Sequence, residues 1–316
     1  MGHGDRGIVL ESVQSGASIT VLPEQGGLLF DWTVVDPGGR KIPVLWTNPD
    51  LLNDASASRE DFPGGMPVLF PVCGPTGGYR VDGGEGACDY EMPKHGFAAW
   101  KAFSMPDLSL RQAEKTGVLS VTLTSDRDTL CVYPFPFELT LDWDLAGPSS
   151  LSACMTVKNC GGTIMPVSPG LHPYFNLPFT EAGTRQDVSL DSTARARYVL
   201  SPQGWTGERM PLDAGRIPLS GFPSGPACMI GDFECPELTV EDAASNLGLT
   251  MRWTVQGAEG NGFINLWTPA KEVRMFCIEP VCGPTNALNH GTGLFWIPPG
   301  ESWTMRVQFE IEMIFK

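Results

Sequence analysis

The segment FELTLDWDL, residues 137–145, alternates apolar and polar side chains along its whole length. Successive side chains of a β-strand point to opposite faces, so a period of two places one face in a core and the other in water. The segment therefore predicts a half-buried strand, and its expected core residues are Phe137, Leu139, Leu141, Trp143 and Leu145.

The same alternation continues on both sides of this strand. Gly147 and Pro148 form a turn signal, and the run that follows alternates again at Leu151, Ala153, Met155 and Val157. The two runs predict an antiparallel hairpin. A further alternating run is WTMRVQFEIEM, residues 303–313, and the shorter strand candidates are IVLESV, ASITVL, LFDWTVV, VLSVTLTS, LGLTMRWTV and GFINLWT.

Turn-forming residues are spread over the whole chain of 316 residues. The 37 glycines and 28 prolines supply turns and disfavour long helices, although NPDLLNDASA, residues 48–57, could form a short one. No linker, low-complexity segment or charge block divides the sequence. We therefore expect an all-β protein, a large antiparallel β-sandwich that forms a single domain over residues 1–316.

The charge balance limits the classes of partner. The chain has 21 Lys and Arg against 36 Asp and Glu, a formal net charge of -15, which opposes binding to nucleic acid and to anionic membranes. No apolar run reaches transmembrane length. The nine cysteines form no C-x-x-C pair, and the sequence starts without an apolar signal region. These features predict a cytoplasmic protein with reduced thiols.

Of the four histidines, two are candidates for chemistry. His3 lies near the start of the sequence and His290 lies in the turn-like NHG, so exposed positions are expected for both. His95 follows Pro93 and precedes a glycine in MPKHGFAAW, and His172 precedes Pro173 in SPGLHPYF. Each also fits a hydrogen-bonded structural role, but two histidines on rigid, aromatic-flanked segments favour a site.

A repeated hexapeptide draws attention to one carboxylate. PVCGPT occurs at residues 71–76 and again at residues 280–285, preceded by Phe70 in the first copy and by Glu279 in the second. A carboxylate at a strand end beside apolar neighbours is partly desolvated, which raises its proton affinity toward that of a general base. A turn cap or an ion pair would also explain Glu279. Since the first copy needs no charge, we favour a chemical role, with Pro280 ending the strand and Phe70 shaping the wall of the same cleft.

Several motifs, in order, resemble those of the aldose 1-epimerases, the galactose mutarotase-like proteins. They are MPVLFPVCGPTGGYRVDG, YEMPKHGFA, YPFPFELTLDWDL, SPGLHPYF and FCIEPVCGPTNALN with IPPGESW. The resemblance runs from about residue 28 onward, and HGFA, LHPYF and IEP in this order are fairly specific. It implies a large antiparallel β-supersandwich, with Glu279 as catalytic base, His172 as general acid and His95 as a second imidazole at the ring oxygen. The aspartate that binds the sugar is placed at Asp232.

This chemistry suits the residue types. Interconversion of the α and β anomers of an aldose removes a proton from the C1 hydroxyl and protonates the ring oxygen, after which the ring opens, the C1–C2 bond rotates and the ring closes. A carboxylate and an imidazole can perform both transfers, so no cofactor is needed. Metal ligation is the weaker explanation of the histidines, because neither H-x3-H nor C-x2-C spacing occurs.

The sequence departs from the family where many relatives have arginines around the sugar. The corresponding positions hold Pro63, Pro75 and Ala99. The arginine that Ala99 replaces looks suited to an anionic group in hexose-6-phosphate mutarotases, so its absence favours a neutral aldose over a sugar phosphate. The missing arginines also keep open a non-catalytic sugar-binding or regulatory protein. A second alternative is an enzyme that acts on a polysaccharide, which would need an extended groove and a second carboxylate or a tyrosine near the first; the sequence offers Tyr174 but no clear partner acid.

Overall fold

The computed structural model describes residues 7–52, 62–83, 86–105, 116–213, 215–258, 262–270 and 273–314. The strands in these residues are β1 (Ile8–Glu11), β2 (Ser18–Leu22), β3 (Leu28–Val35), β4 (Lys41–Pro43), β5 (Val68–Leu69), β6 (Gly77–Gly83), β7 (Gly86–Met92), β8 (Val118–Thr124), β9 (Phe137–Asp144), β10 (Ser150–Asn159), β11 (Met165–Val167), β12 (Gly170–Leu171), β13 (Tyr174–Asn176), β14 (Val188–Ser201), β15 (Gly204–Pro211), β16 (Gly215–Pro218), β17 (Cys228–Asp242), β18 (Leu247–Val255), β19 (Phe263–Trp267), β20 (Met275–Val281), β21 (Phe295–Ile297) and β22 (Ser302–Met313). Strand accounts for 55% of the protein and helix for 8%, which confirms the predicted all-β class.

Helices are short within these residues. The α-helices are α1 (Arg127–Val132) and α2 (Ala287–His290), and 3-10 turns occupy Pro49–Leu52, Ala98–Trp100 and Leu219–Gly221. The segment predicted as a short helix, residues 48–57, begins with the first of these turns, where the fixed φ of Pro49 suits a helix start. Its residues 53–57 lie outside the described part of the chain.

One large antiparallel sheet dominates the architecture, as expected. Ten of its strands follow the order β5-β12-β20-β19-β17-β18-β22-β10-β9-β8, while β13 pairs with β20 and β14 pairs with β15, β16 and β17. Strands β1 to β4 form a second sheet, and β6–β7 and β11–β21 form two-stranded pairs. The predicted large antiparallel β-supersandwich is therefore confirmed.

The alternating segments bury the residues that their pattern predicts. In β9 the odd-numbered residues from Phe137 to Trp143 are all buried, and Leu141 lies opposite Met155 of β10. Met155 in turn lies opposite Met305 of β22. These side chains belong to the main hydrophobic core, which runs along one face of the large sheet.

A second apolar cluster lies around a row of residues that crosses four neighbouring strands. Tyr198 of β14 pairs with Met229 of β17, Met229 with Asn265 of β19, and Asn265 with Glu279 of β20. Directly paired residues point to the same face of a sheet, and adjacent strands lie about 4.8 Å apart. The row therefore carries polar groups of β19 and β20 side by side on the face that holds the cluster, whose buried members include Tyr174, Tyr198, Met229 and Phe263.

The prediction that Pro280 ends its strand is wrong. β20 continues to Val281, and Pro280 still lies opposite Ile264 of β19. Main-chain donors alternate between the two sides of a strand, and the N–H of Cys282 donates to the Pro169 carbonyl on the β12 side. The nitrogen of Pro280, two residues earlier, points to that same side, so its missing N–H removes no hydrogen bond from the β19 ladder.

The strands of the main sheet come from the part of the chain between Val68 and Met313. That residues 1–316 form a single domain remains a prediction. None of the described helices is long and apolar enough to cross a membrane.

Candidate active site

Glu279 and His172 lie in direct contact at the row of β19 and β20. Nε2 of His172 is 3.3 Å from Oε1 of Glu279, and Nδ2 of Asn265 donates a hydrogen bond of 3.0 Å to the same oxygen. Both Glu279 and His172 are buried. Oε2 of Glu279 has no hydrogen-bond partner among the described residues. One carboxylate oxygen is thus held in place, and the other is buried and makes no hydrogen bond within the described residues.

Burial shifts the proton affinities of this pair in opposite directions. It raises the pKa of Glu279 from 4.5 to about 8, against the lowering effect of the Asn265 hydrogen bond and of the Lys94 charge. Burial also lowers the pKa of His172 well below 6.5, helped by His95. Near neutral pH the pair therefore holds one titratable proton, and in the sugar-free site this proton lies on the carboxyl group of Glu279.

The backbone around His172 fixes its position at the edge of β20. His172 lies between β12 and β13, both of which pair with β20. The main-chain N–H of His172 donates to the Pro67 carbonyl. The following Pro173 restricts the backbone to an extended conformation. Its imidazole stacks on the ring of Tyr174 with a centroid distance of 4.6 Å. The histidine is therefore held from its backbone and from one ring face.

His95 is held by the first PVCGPT turn. The Gly74 N–H donates to Nδ1 of His95 at 3.1 Å, and the His95 N–H donates to the Gly74 carbonyl at 2.9 Å. Because Nδ1 accepts, the neutral ring carries its proton on Nε2. Burial, with a further contribution from Lys94, lowers the pKa of His95 to about 3, so the ring is a neutral donor. Its backbone has a φ of 65°, and its centroid is 5.4 Å from that of His172.

Aromatic rings surround both imidazoles. Phe62 contacts His95 and His172 at centroid distances of 5.8 and 5.6 Å, and it stacks on Trp100 at 5.1 Å. Such rings exclude water, which explains the direction of the pKa changes in both histidines. They also offer apolar faces to a ligand.

The two copies of PVCGPT pack against each other. A Cβ atom at Gly74 would lie 2.2 Å from Cγ2 of Thr285, so the glycine of the first turn lies directly on the threonine of the second. One turn holds His95 and the other follows Glu279. The expectation that Phe70 shapes the cleft wall is wrong, because Phe70 is fully buried in the main core, 4.9 Å from Phe137 between ring centroids. Leu69, its neighbour, belongs to the cluster at the site instead.

Asp232 lies further along the same face. It has a φ of 56° and accepts a hydrogen bond of 3.0 Å from the Tyr198 hydroxyl, while the Arg209 guanidinium pairs with its carboxylate. Within the described residues, Asp232 makes no contact with His95, His172 or Glu279. The structure thus brings together three of the four predicted site residues and connects Asp232 only through the row that ends at Tyr198.

His290 differs from the exposed turn residue that was expected. It is half-buried, its Nδ1 accepts from the Thr292 N–H, its Nε2 lies 3.1 Å from the Thr285 carbonyl, and Trp205 contacts its ring. Both ring nitrogens are engaged in local structure, because the turn folds back on itself. His3 lies outside the described residues.

Asn265, Phe62 and Tyr198 were not identified from the sequence. Asn265 stands in the apolar strand segment GFINLWT, where a single amide carries no motif, and only the register with β20 relates it to Glu279. The positions that lack arginine, Pro63, Pro75 and Ala99, bring no cation to the site. Among the described residues, a group that could hold a metal is His172, Cys277 and Glu279, whose ligand atoms all lie within 4.8 Å of one another.

Comparison with known proteins agrees with this geometry. A family model described as aldose 1-epimerase matches residues 12–196, which is more than half of the chain and includes both histidines. The Slr1438 protein of Synechocystis sp. PCC 6803 is 28% identical with a TM-score of 0.76 over 98% of this chain and 96% of that one. Two further solved structures have the same fold. A galactose mutarotase related enzyme from Lactobacillus acidophilus is 20% identical, with a TM-score of 0.76 over 98% of both chains. A galactose mutarotase-like protein from Lactobacillus casei is 20% identical, with a TM-score of 0.75 over 97% of this chain and 100% of that one. A search of curated proteins finds no match.

Proposed function

Since the chain belongs to the aldose 1-epimerase family, we propose that it is a mutarotase that interconverts the α and β anomers of a neutral aldose. The observation that carries this proposal is the buried contact of 3.3 Å between His172 and Glu279. A proton acceptor and a proton donor in contact at one apolar site can act on two neighbouring oxygens of one small molecule.

Glu279 is the base and His172 the acid. As the sugar binds, the proton of the pair moves from Glu279 to His172 across their 3.3 Å contact. Oε2 of Glu279 then takes the proton of the C1 hydroxyl, since Oε1 is held by Asn265. His172 gives its proton to the ring oxygen, the C1–O5 bond breaks, and an open-chain aldehyde forms. After rotation about C1–C2 both protons return, so the enzyme is regenerated with no net proton change. The low proton affinity of His172 makes its protonated form a strong donor.

His95 is a hydrogen-bond donor rather than an acid. Its Nδ1 is occupied by the Gly74 N–H, and its Nε2–H can bind an oxygen of the sugar. The low pKa means that His95 adds no charge beside His172. We assign sugar binding to Asp232 as well, at the far end of the row that passes through Tyr198.

A neutral sugar is supported by the residues at the three former arginine positions. Pro63, Pro75 and Ala99 offer no guanidinium to a phosphate group, whereas the aromatic rings near the imidazoles suit the apolar face of a pyranose. The nine cysteines are all unpaired, which supports a reducing compartment such as the cytoplasm.

Polarimetry of freshly dissolved anomers of several aldoses tests the proposal. We expect Glu279→Gln to lower the rate by about 10²–10⁴ while calorimetry finds sugar affinity largely retained, because the amide keeps the shape and removes the proton acceptor. Glu301→Gln, on an exposed loop, is the matched control. A Glu279→Gln protein that turns over at the wild-type rate would exclude Glu279 as the base.

The missing arginines favour one second candidate, a non-catalytic sugar-binding protein. In that case calorimetry would detect sugar binding, yet wild type and Glu279→Gln would leave the anomers to relax at the uncatalysed rate. A polysaccharide-active enzyme would instead cleave oligosaccharides in a reducing-end assay. Among the described residues, no second carboxylate contacts Glu279, whereas a tyrosine, Tyr174, stacks on His172, so the reducing-end assay decides this last alternative.

A further inference from the structure

Cys277 places a thiol beside the acid–base pair. It lies two residues before Glu279 in β20, and two-residue spacing puts both side chains on the same face of the strand. Its Sγ, a nitrogen of His172 and a carboxylate oxygen of Glu279 all lie within 4.8 Å of one another. All three residues are buried. Their spacing along the chain does not reveal the set, because His172 comes from a distant segment.

The separation of two of these atoms matches a tetrahedral metal site. Zinc bonds of about 2.0–2.1 Å to nitrogen and oxygen at tetrahedral angles place the two ligand atoms about 3.3–3.4 Å apart. His172 Nε2 and Glu279 Oε1 are 3.3 Å apart. A thiolate at about 2.3 Å would lie about 3.6 Å from either atom. Because Sγ lies within 4.8 Å of both, it needs a movement of at most about 1.2 Å, within reach of a side-chain rotation.

The charges of the set also fit a divalent cation. A Cys277 thiolate and a Glu279 carboxylate together carry two negative charges, which would neutralise such an ion in this buried position. Two polar atoms here have no hydrogen-bond partner among the described residues, Oε2 of Glu279 and Nδ1 of His172. The Met275 sulfur lies 3.9 Å from Sγ of Cys277, so the surroundings are soft as well as apolar.

We propose that Cys277, His172 and Glu279 form a site for a thiophilic divalent cation such as zinc, and that the bound ion reversibly blocks the sugar reaction. The ion replaces two protons, that of the Cys277 thiol and that held by the Glu279 carboxyl group, and both are released to solvent. It then occupies the two side chains assigned as base and acid. The inhibition rests on the proposed mutarotase function, whereas the binding does not. Magnesium, which prefers oxygen ligands in octahedral geometry, should not bind here.

Cobalt titration tests the binding without any sugar. Co2+ bound by a thiolate gives a charge-transfer band in the near ultraviolet and intense visible bands when the geometry is tetrahedral. We expect these bands in the wild type, their loss in Cys277→Ala, and their retention in Cys235→Ala, which removes an exposed thiol. Absence of the bands in the wild type, or their persistence in Cys277→Ala, would overturn the proposal.

Inhibition is measured by polarimetry with added zinc. The wild type should lose activity and regain it with a chelator, while Cys277→Ala should keep its basal rate and need at least about tenfold more zinc for half inhibition. A wild type that shows the cobalt bands but no mutarotation would contradict the proposed function and leave the metal site standing. If Cys277→Ala does not fold, Glu279→Gln replaces it in the cobalt titration, where an unchanged affinity would refute the site.

Discussion

Replacing Glu279 by glutamine should change the pH dependence of stability as well as the rate. The carboxyl group is buried in the folded protein with a pKa of about 8, against 4.5 when it is freely solvated. Between these values the unfolded chain ionises at this residue and the folded chain does not. The favourable contribution of the protonated group is fully present below about pH 4.5 and is lost as the pH rises toward 8.

The size of the effect follows from that difference. A rise from 4.5 to about 8 corresponds, at about 1.4 kcal/mol for each pH unit, to about 5 kcal/mol over the whole range. Most of it falls between pH 5 and pH 8, where we expect a loss of about 3–4 kcal/mol. Glutamine has no proton to lose, so the stability of Glu279→Gln relative to the wild type should improve by about this amount between the two pH values.

Denaturant unfolding at several pH values, in the presence of a chelator, measures this difference. Titration of groups distant from Glu279 acts similarly on both proteins and largely cancels. Glu301→Gln, which replaces an exposed carboxylate, is measured in parallel as the matched control. A relative stability of Glu279→Gln that stays constant from pH 5 to pH 8 would refute the conclusion that burial holds the proton on Glu279.

Three further outcomes are expected. The kcat/KM for mutarotation should fall about tenfold per pH unit above about pH 8, because the active pair must keep one proton. An enzymatic rate that continues to rise above this pH, after subtraction of the uncatalysed rate, would contradict this. Gly74→Ala should lower the free energy of unfolding more than Gly39→Ala does, because both glycines have positive φ but only a Cβ at Gly74 would collide with Thr285. Gly74→Ala should also slow turnover, since Gly74 holds His95. Equal losses of stability in denaturant melts would argue against the contact with Thr285. Titration of the denatured, unreduced protein should find nine thiols, and a lower count would indicate a disulfide.

The strands could be predicted because their pattern is local. The period of two in residues 137–145 and 303–313 depends only on which face is buried, and both segments became strands of the main sheet. Pro280 was misjudged because a proline interrupts a ladder only on the side to which its nitrogen points. That side depends on the neighbouring strands β12 and β13, which lie more than a hundred residues earlier in the chain.

The candidate site was predictable to the extent that its residues stand in distinctive motifs. His95, His172 and Glu279 each lie in a motif typical of the family, whereas Asn265 is recognisable only through its register with β20. The direct contact of His172 with Glu279 and the tautomer of His95 depend on backbone positions in three separate segments. The spacing of residues along the chain contains no information about such contacts.

The position of β20 within the sheet has a consequence for how the chain is made. β20 lies between β12 and β19, yet it is synthesised after both of them, and Glu279 follows His172 by 107 residues (279 − 172). Until it leaves the ribosome, the facing edges of β12 and β19 lack their partner, and unpaired edges promote association with other chains. These two edges of the nascent chain therefore need chaperone protection for as long as the strand that carries the carboxylate is missing.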